Sequence, residues 1–232
     1  MLFNNNIKSL KGKERGKDIY ILANAPSIKK ENLSLLRDKV SIGMNANPLL
    51  EQEFGFISQY YVVSDKRFIN HPDKRKMCTE MLDKSTIRVL RAELEEDDDR
   101  NIQNKTYYAR VLGKNGFSMN LNKGYYFGVT TAMLAVQLAS YLGAKNIYIL
   151  GMDLKYDGSN PRFYKEEDVQ EFDSFTSVQI MNVRNAYLEL KDKNINLYNC
   201  SKNSLLYPYL PFKNFEETLS GCRSWKIILQ KI

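Results

Sequence analysis

Gly128-Val129-Thr130-Thr131 leads into an apolar stretch rich in small residues at 132–142, then Gly143-Ala144-Lys145-Asn146, then Ile147-Tyr148-Ile149-Leu150-Gly151-Met152-Asp153. The order is helix, glycine turn, buried strand. A glycine just past the last apolar turn supplies the left-handed conformation that ends a helix. A nearly unbroken apolar strand is what a parallel sheet covered on both faces requires. Working back from this run, Asp18-Ile19-Tyr20-Ile21-Leu22-Ala23 is a strand of the same kind. Val40-Ser41-Ile42-Gly43-Met44-Asn45 and Tyr60-Tyr61-Val62-Val63-Ser64-Asp65 read as two more, and 86–90 as another. Residues 27–39 read as a short helix, 66–84 as a charged helical stretch, 178–190 as an amphipathic helix and 195–200 as a late strand. This alternation predicts an α/β fold: a doubly wound, mainly parallel sheet with right-handed crossovers. Residues from 154 to about 177 are polar and aromatic without core periodicity, and read as a lid over a site.

The chain has 232 residues, enough for one such domain and short for two. Gly and Pro are ordinary in number, so fibrous and low-complexity classes are excluded. No apolar run reaches the roughly 18 residues of a membrane helix. Residues 1–17 are basic and polar without an apolar segment, and are expected to be a solvated leader rather than a secretory signal. Three widely spaced cysteines (Cys78, Cys200, Cys222) form no ligand pattern and read as reduced cytosolic thiols. His71 is the single histidine, which excludes any mechanism needing two. Glu95-Glu96-Asp97-Asp98-Asp99 reads as a solvated acidic turn rather than a metal site. A net charge of +7 favours an anionic partner without choosing among phosphorylated ligands, nucleic acid and acidic membrane.

In open parallel sheets, ligands bind beyond the carboxyl ends of the strands. Four predicted ends carry Asn24, Asn45, Asp65 and Asp153, which the fold aligns along one edge. Each alone is also an ordinary turn residue. Ser27, after Asn24-Ala25-Pro26, suits a helix N-cap, and the helix start there would offer N–H groups to a phosphate. The same holds for Gly128, Thr130 and Thr131. Neither turn is a dinucleotide fingerprint or a P-loop. After the Gly-Met-Asp strand come Tyr156, Asp157-Gly158-Ser159, Arg162 and Tyr164: either phenols and a guanidinium able to stabilise a phosphate leaving group, or a turn with surface aromatics.

Leu22-Ala23-Asn24-Ala25-Pro26-Ser27-Ile28-Lys29 resembles the Gly-Asn-Gly-Pro-Ser-Leu-Lys turn of bacterial sialyltransferases of glycosyltransferase family 42. It also resembles a wider group of polysaccharide-locus proteins labelled 6-hydroxymethylpterin diphosphokinase-like. Gly43-Met44-Asn45, Tyr60 to Asp65, Thr130-Thr131 with the following helix and strand, and Leu197-Tyr198-Asn199-Cys200-Ser201-Lys202-Asn203-Ser204-Leu205-Leu206 match in order, over about 18–219. The resemblance implies one Rossmann-like glycosyltransferase domain, a GT-A-like sialyltransferase variant with a lid insertion. It implies a CMP-activated sugar as substrate, no cofactor and no required metal. Carried over, the nucleotide-binding set is Asn24, Ala25, Pro26, Ser27, Asn45, Gly128, Thr130, Thr131, Asp153, Asn203 and Ser204. The family's lid tyrosines assist phosphate departure, and Tyr156 and Tyr164, at a different spacing, are the candidates for them. The family's histidine base has no counterpart: its place falls near Ser177. Asp173 or Glu167 is then a candidate base, and Asp65, which stands where the family has asparagine, either binds ribose or acts as the base.

The expectation is therefore a cytosolic, inverting glycosyltransferase that moves a sialic-acid-like or Kdo-like sugar onto a surface-glycan or lipid-linked acceptor. A Mg²⁺-dependent pyrophosphokinase, with Asp65 and Asp153 as ligands, and a non-catalytic nucleotide-sugar-binding protein are the rivals. The basic, apolar tail at 220–232 reads either as a packed helix or as a peripheral membrane contact. No basic and aromatic platform for nucleic acid is evident, and a homo-oligomer stays open.

Overall fold

The computed structural model describes residues 6–99, 101–156, 161–166 and 172–219. The strands are β1 (Asp18–Leu22), β2 (Val40–Met44), β3 (Tyr60–Val63), β4 (Ile87–Arg91), β5 (Thr106–Ala109), β6 (Val111–Gly113), β7 (Tyr125–Tyr126), β8 (Asn146–Leu150) and β9 (Asn196–Asn199). The helices are α1 (Asn47–Phe54), α2 (Lys66–Asn70), α3 (Pro72–Thr79), α4 (Thr131–Leu142), α5 (Thr176–Lys191) and α6 (Phe215–Leu219). Seven strands form one sheet in the order β5-β4-β3-β2-β1-β8-β9, and every pairing in it is parallel. From β1 the chain builds outward to β5, then returns through α4 to lay β8 on the other side of β1. The reversal of direction lies between β1 and β8.

Side-chain alternation sends each strand to two cores. Ile19, Ile21, Ile42, Val62, Ile147 and Ile149 bury on one face with α4 and α5. Tyr20, Leu22, Tyr148 and Leu150 bury on the other, joined by Leu33, Leu36, Leu50 and Phe215. That is why these strands read as unbroken apolar runs. All twelve residues of α4 are buried, and its alanines let the helix lie close to the sheet. Thr130 caps it by accepting from the Ala132 N–H, and Gly143, at φ 91°, closes it.

Several expectations are corrected. Residues 27–39 form two 3₁₀ turns, Pro26–Lys30 and Leu33–Leu36, not one helix. At the start of the second, the Ser34 hydroxyl donates to Asn32 Oδ1 at 2.6 Å, a local bond that competes with helix propagation. The 66–84 stretch breaks at Pro72, which lacks a donor and crowds the preceding turn. The described part of the leader is not solvated. Ile7 and Leu10 are buried, and Gly12, Glu14 and Gly16 donate to the carbonyls of Tyr141, Leu142 and Gly143 at the end of α4. The acidic turn is not wholly solvated either. Asp98 turns inward and holds the buried Arg88 of β4 at 2.6 Å, with the Tyr108 hydroxyl donating to it at 2.8 Å.

One polar knot closes the β2–α1–β3 corner. A Cβ on Gly43 would fall on the side chain of Asn47. The freed space lets the Asn47 amide donate to Glu51 Oε1 (2.5 Å) and to Ser58 Oγ (3.0 Å). Burial pushes the Glu51 carboxyl up to about 7, against the hydrogen bonds from Ser58 and Asn47. Its folded pKa is therefore above its unfolded one, so its contribution to stability is complete at low pH and is lost as pH rises through about 7. Glu51→Gln should remove about 3 kcal/mol of the stability that the natural chain loses between pH 4.5 and 8. Urea unfolding across that range measures it, and parallel curves for the two proteins would contradict it.

Candidate functional site

A cleft of about 570 Å³ opens at the carboxyl ends of the strands. Its floor is Ala23–Asn24–Ala25 after β1, Met44 at the end of β2 with Asn45 after it, Ser64 and Asp65 after β3, and Gly151 to Tyr156 after β8. Thr130, Thr131 and Ala132 at the start of α4 close one side, and Pro161, Arg162 and Phe172 to Phe175 cover it. It straddles the reversal between β1 and β8, where an open parallel sheet leaves a crevice.

Backbone strain collects here. Among the described residues four non-glycines have positive φ, and three of them line the cleft: Asn45 (50°), Val129 (58°) and Leu154 (59°). For a β-branched valine that conformation is costly, and it persists only where surrounding packing imposes it.

Asn24 acts as a strap. Its amide donates to the Met44 carbonyl (3.0 Å), and its Oδ1 accepts from the Ala46 N–H (3.0 Å), so the ends of β1 and β2 are locked together around Asn45. The Asn24 carbonyl accepts from the Phe163 N–H at 2.9 Å and anchors the covering segment. Asp153 ties the other side. Its carboxylate accepts from Ser27 Oγ (2.5 Å), Ser27 N–H (3.3 Å) and Ser201 Oγ (2.8 Å), and so joins the β1 turn, the β8 end and the β9 end. Gly151 is required beneath it: φ is 68°, and a Cβ would stand 2.8 Å from Ile28 Cβ. Ser64 Oγ and Thr131 Oγ1 pair at 2.9 Å. The Asp65 carboxylate caps α2 through the Arg67 N–H and is held by the Arg67 guanidinium at 2.8 Å.

The covering segment brings Tyr156, Arg162 and Asp173 together. The Tyr156 hydroxyl interacts with both Arg162 and Asp173. Burial raises its pKa, Arg162 opposes this and Asp173 adds to it, so the phenol stays protonated at neutral pH. Asp173 also accepts from Gln179 Nε2 and the Phe175 N–H, each at 2.8 Å, which fixes it at the start of α5.

Of the residues singled out from sequence, Asn24, Ala25, Asn45, Asp65, Thr130, Thr131, Asp153, Tyr156 and Asp173 line this one cleft. Pro26, Ser27, Gly128, Tyr164, Asn203 and Ser204 do not. Ser27 supports Asp153 from behind, and the short 3₁₀ turn it sits in is no α-helix start. Gly128 lies under the α4 turn, where a Cβ would strike Met133. Tyr164 points away, its hydroxyl donating to Glu166 beside Lys74. Ser204 donates to the Met152 carbonyl at 2.5 Å, and Asn203 is exposed. Glu167, Asp157 to Ser159 and the tail lie outside the described residues. His71 is not in the cleft. Burial pushes the thiols of Cys78 and Cys200 up to about 12, so neither is a ready nucleophile. Sequence reasoning missed Lys66, Arg67, Arg91, Phe127, Phe172, Phe175 and Gln179, which also line the cleft. The cations directly after β3 and at the end of β4 were a usable signal; the phenylalanines carried none.

The family described as 6-hydroxymethylpterin diphosphokinase MptE-like matches residues 1–159. A probable 3-deoxy-manno-octulosonic acid transferase of Escherichia coli K12 is 23% identical over 86% of this chain and 83% of its own length. The MAf glycosyltransferase of Magnetospirillum magneticum AMB-1 superposes with a TM-score of 0.61 at 15% identity, over 93% of this chain. This chain spans only 38% of that structure. The sialyltransferase CstII of Campylobacter jejuni, solved with cytidine-5'-monophosphate, superposes with a TM-score of 0.51 at 16% identity, covering 87% of this chain and 88% of CstII. The fold is thus similar to that of glycosyltransferases.

Asp153→Asn should cost about 2–3 kcal/mol, because one face of an amide cannot accept from donors that now meet a carboxylate. That corresponds to a fall of about 4–12 °C in melting temperature. A melting temperature unchanged in calorimetry would show that the tie is dispensable.

Proposed function

We propose that this chain, which belongs to the 6-hydroxymethylpterin diphosphokinase MptE-like family, is a glycosyltransferase that takes its sugar from a CMP-activated donor. The observation that carries this reading is the single cleft at the β1/β8 reversal. It is lined by short polar side chains at one end and by Tyr156, Arg162 and Asp173 at the other. The similarity to a probable 3-deoxy-manno-octulosonic acid transferase and to a sialyltransferase solved with a cytidine nucleotide supports it, and favours an acidic, Kdo-like or sialic-acid-like sugar.

In this reading Asn45, Ser64 and Asp65 meet the nucleoside. The Asn45 Oδ1 is buried without a hydrogen-bond partner among the described residues. Thr130, Thr131 and the start of α4, twelve residues long, face the phosphate, where the helix dipole favours negative charge. Tyr156 and Arg162 stabilise charge on the departing phosphate oxygen. Asp173 takes the proton from the acceptor hydroxyl, whose oxygen attacks the anomeric carbon as the bond to the phosphate breaks, with inversion. No cofactor or metal is needed for these steps. The acceptor is a glycan destined for the cell surface, free or lipid-linked. Among the described residues no helix is long and apolar enough to cross a membrane.

The family's description favours a second reading, metal-dependent transfer of a pyrophosphoryl group. Such chemistry relies on carboxylates converging on Mg²⁺. Among the described residues no group of three or more potential ligands converges. Asp153 is engaged by Ser27 and Ser201, and Asp65 by Arg67.

Thermal denaturation with CMP, CDP, UDP and GDP separates the two. CMP at about a hundred times its Kd should raise the melting temperature by about 5–10 °C, with UDP and GDP well below. Tyr156→Phe should slow transfer about 100-fold and, because CMP carries the same phosphate oxygen, also reduce that shift. If no cytidine nucleotide stabilises the protein, and ATP is consumed only with Mg²⁺, the second reading replaces the first.

A further inference from the structure

We propose that the outer rim of the cleft is an acceptor subsite built for a sugar ring that carries a carboxylate or a phosphate. The inference rests on the reading of the cleft as a glycosyl-transfer site. Phe172 and Phe175 are 75% and 42% exposed, and both line the cleft together with Phe127. An isolated exposed apolar side chain needs no explanation. Three phenyl rings around one polar opening form a patch of the kind that marks a binding site. The electron-rich face of a ring suits the C–H-bearing face of a pyranose.

Two of these rings carry cations. Lys114 Nζ stands 4.5 Å from the Phe175 ring centre, and the Arg91 guanidinium stands 5.2 Å from that of Phe127. Arg91 is held by Glu93, with Nε at 3.0 Å from its carboxylate. Lys66 and Arg67 are paired with Asp97 and Asp65. Lys114 and the cleft-lining Lys155 have no carboxylate within ion-pair distance among the described residues. The rim therefore pairs flat apolar surface with cationic charge that no carboxylate among the described residues balances, which suits an anionic sugar better than a neutral one.

Lys114 is not among the residues that line the cleft; its carbonyl accepts from the Gly128 N–H at 2.7 Å, and its ammonium stands over the Phe175 ring. Phe175 is also fixed to the proposed base: its N–H donates to Asp173 Oδ1 at 2.8 Å. A ring resting on Phe175 brings its hydroxyls toward that carboxylate while its anionic substituent meets Lys114.

Saturation-transfer NMR on the full chain with saturating CMP tests this, using cellobiouronic acid, glucose 6-phosphate and neutral cellobiose as probes. At least one anionic sugar should bind about fivefold more tightly than cellobiose, the equivalent of about 1 kcal/mol. Comparing the acid with the phosphate tells which anion is preferred. Lys114→Gln should erase that preference and leave cellobiose unchanged. The double variant Phe172→Ala/Phe175→Ala should weaken binding of the anionic sugars about fivefold or more. The CMP-induced thermal shift, measured on each variant, checks that it is folded. Equal binding of charged and neutral probes, binding unchanged in the variants, or no saturation transfer to any probe while CMP still stabilises the protein would overturn the subsite. Loss of the CMP shift in the natural chain would instead overturn the glycosyl-transfer reading on which it rests.

Discussion

The Asp153 carboxylate is the interaction on which the rest of the cleft depends. Ser27, from the turn after β1, and Ser201, from the end of β9, both donate to it, and its own backbone continues from β8. Three chain segments that are far apart in sequence are thereby held at one point. A carboxylate with this set of donors is far better satisfied than a lone buried charge, whose desolvation would otherwise oppose folding. Because the tie lies at the reversal between β1 and β8, it also keeps the crevice from closing. The side chains that would fill it are bonded to the protein behind them.

The Asn24 strap does the same work between β1 and β2, and has a further consequence. By locking the Met44 carbonyl and the Ala46 N–H, it fixes the backbone on either side of Asn45, which sits at φ 50°. With Val129 and Leu154 in similar conformations across the cleft, three strained residues frame one opening. The cost of a β-branched residue at positive φ is of the order of 1–2 kcal/mol. Leu154 is packed into the core that holds α4, and the Asn24 strap fixes the backbone around Asn45. Preorganised donors of this kind stabilise developing charge without reorganising during a reaction.

The covering segment works differently. Among the described residues, its Phe163 N–H bonds to the Asn24 carbonyl and its Glu166 pairs with Lys74. Its inward face gathers a phenol, a guanidinium and a carboxylate, and burial keeps the phenol protonated. A cleft with a rigid polar floor and a cover carrying ionisable groups suits a reaction in which a phosphate leaves and a hydroxyl attacks. The similarity of fold to glycosyltransferases agrees with this arrangement.

The parallel sheet was legible in the sequence because strands buried on both faces have no polar side to interrupt them; Asp18 to Leu22 and Asn146 to Leu150 show it plainly. The alignment of Asn24, Asn45, Asp65 and Asp153 followed from the sheet, since residues just past parallel strand ends share one edge. Local chemistry could not say which of them face a ligand and which bind the protein. Asn24 and Asp153 spend their polar atoms on partners 20 to 126 positions away, and such partners are chosen by the fold alone. The leader, the inward turn of Asp98 and the phenylalanine rim were hidden for the same reason. Ile7, Asp98 and Phe175 look like solvated neighbours in the sequence, and only tertiary packing decides that the first two are buried and that the third stands beside the cleft.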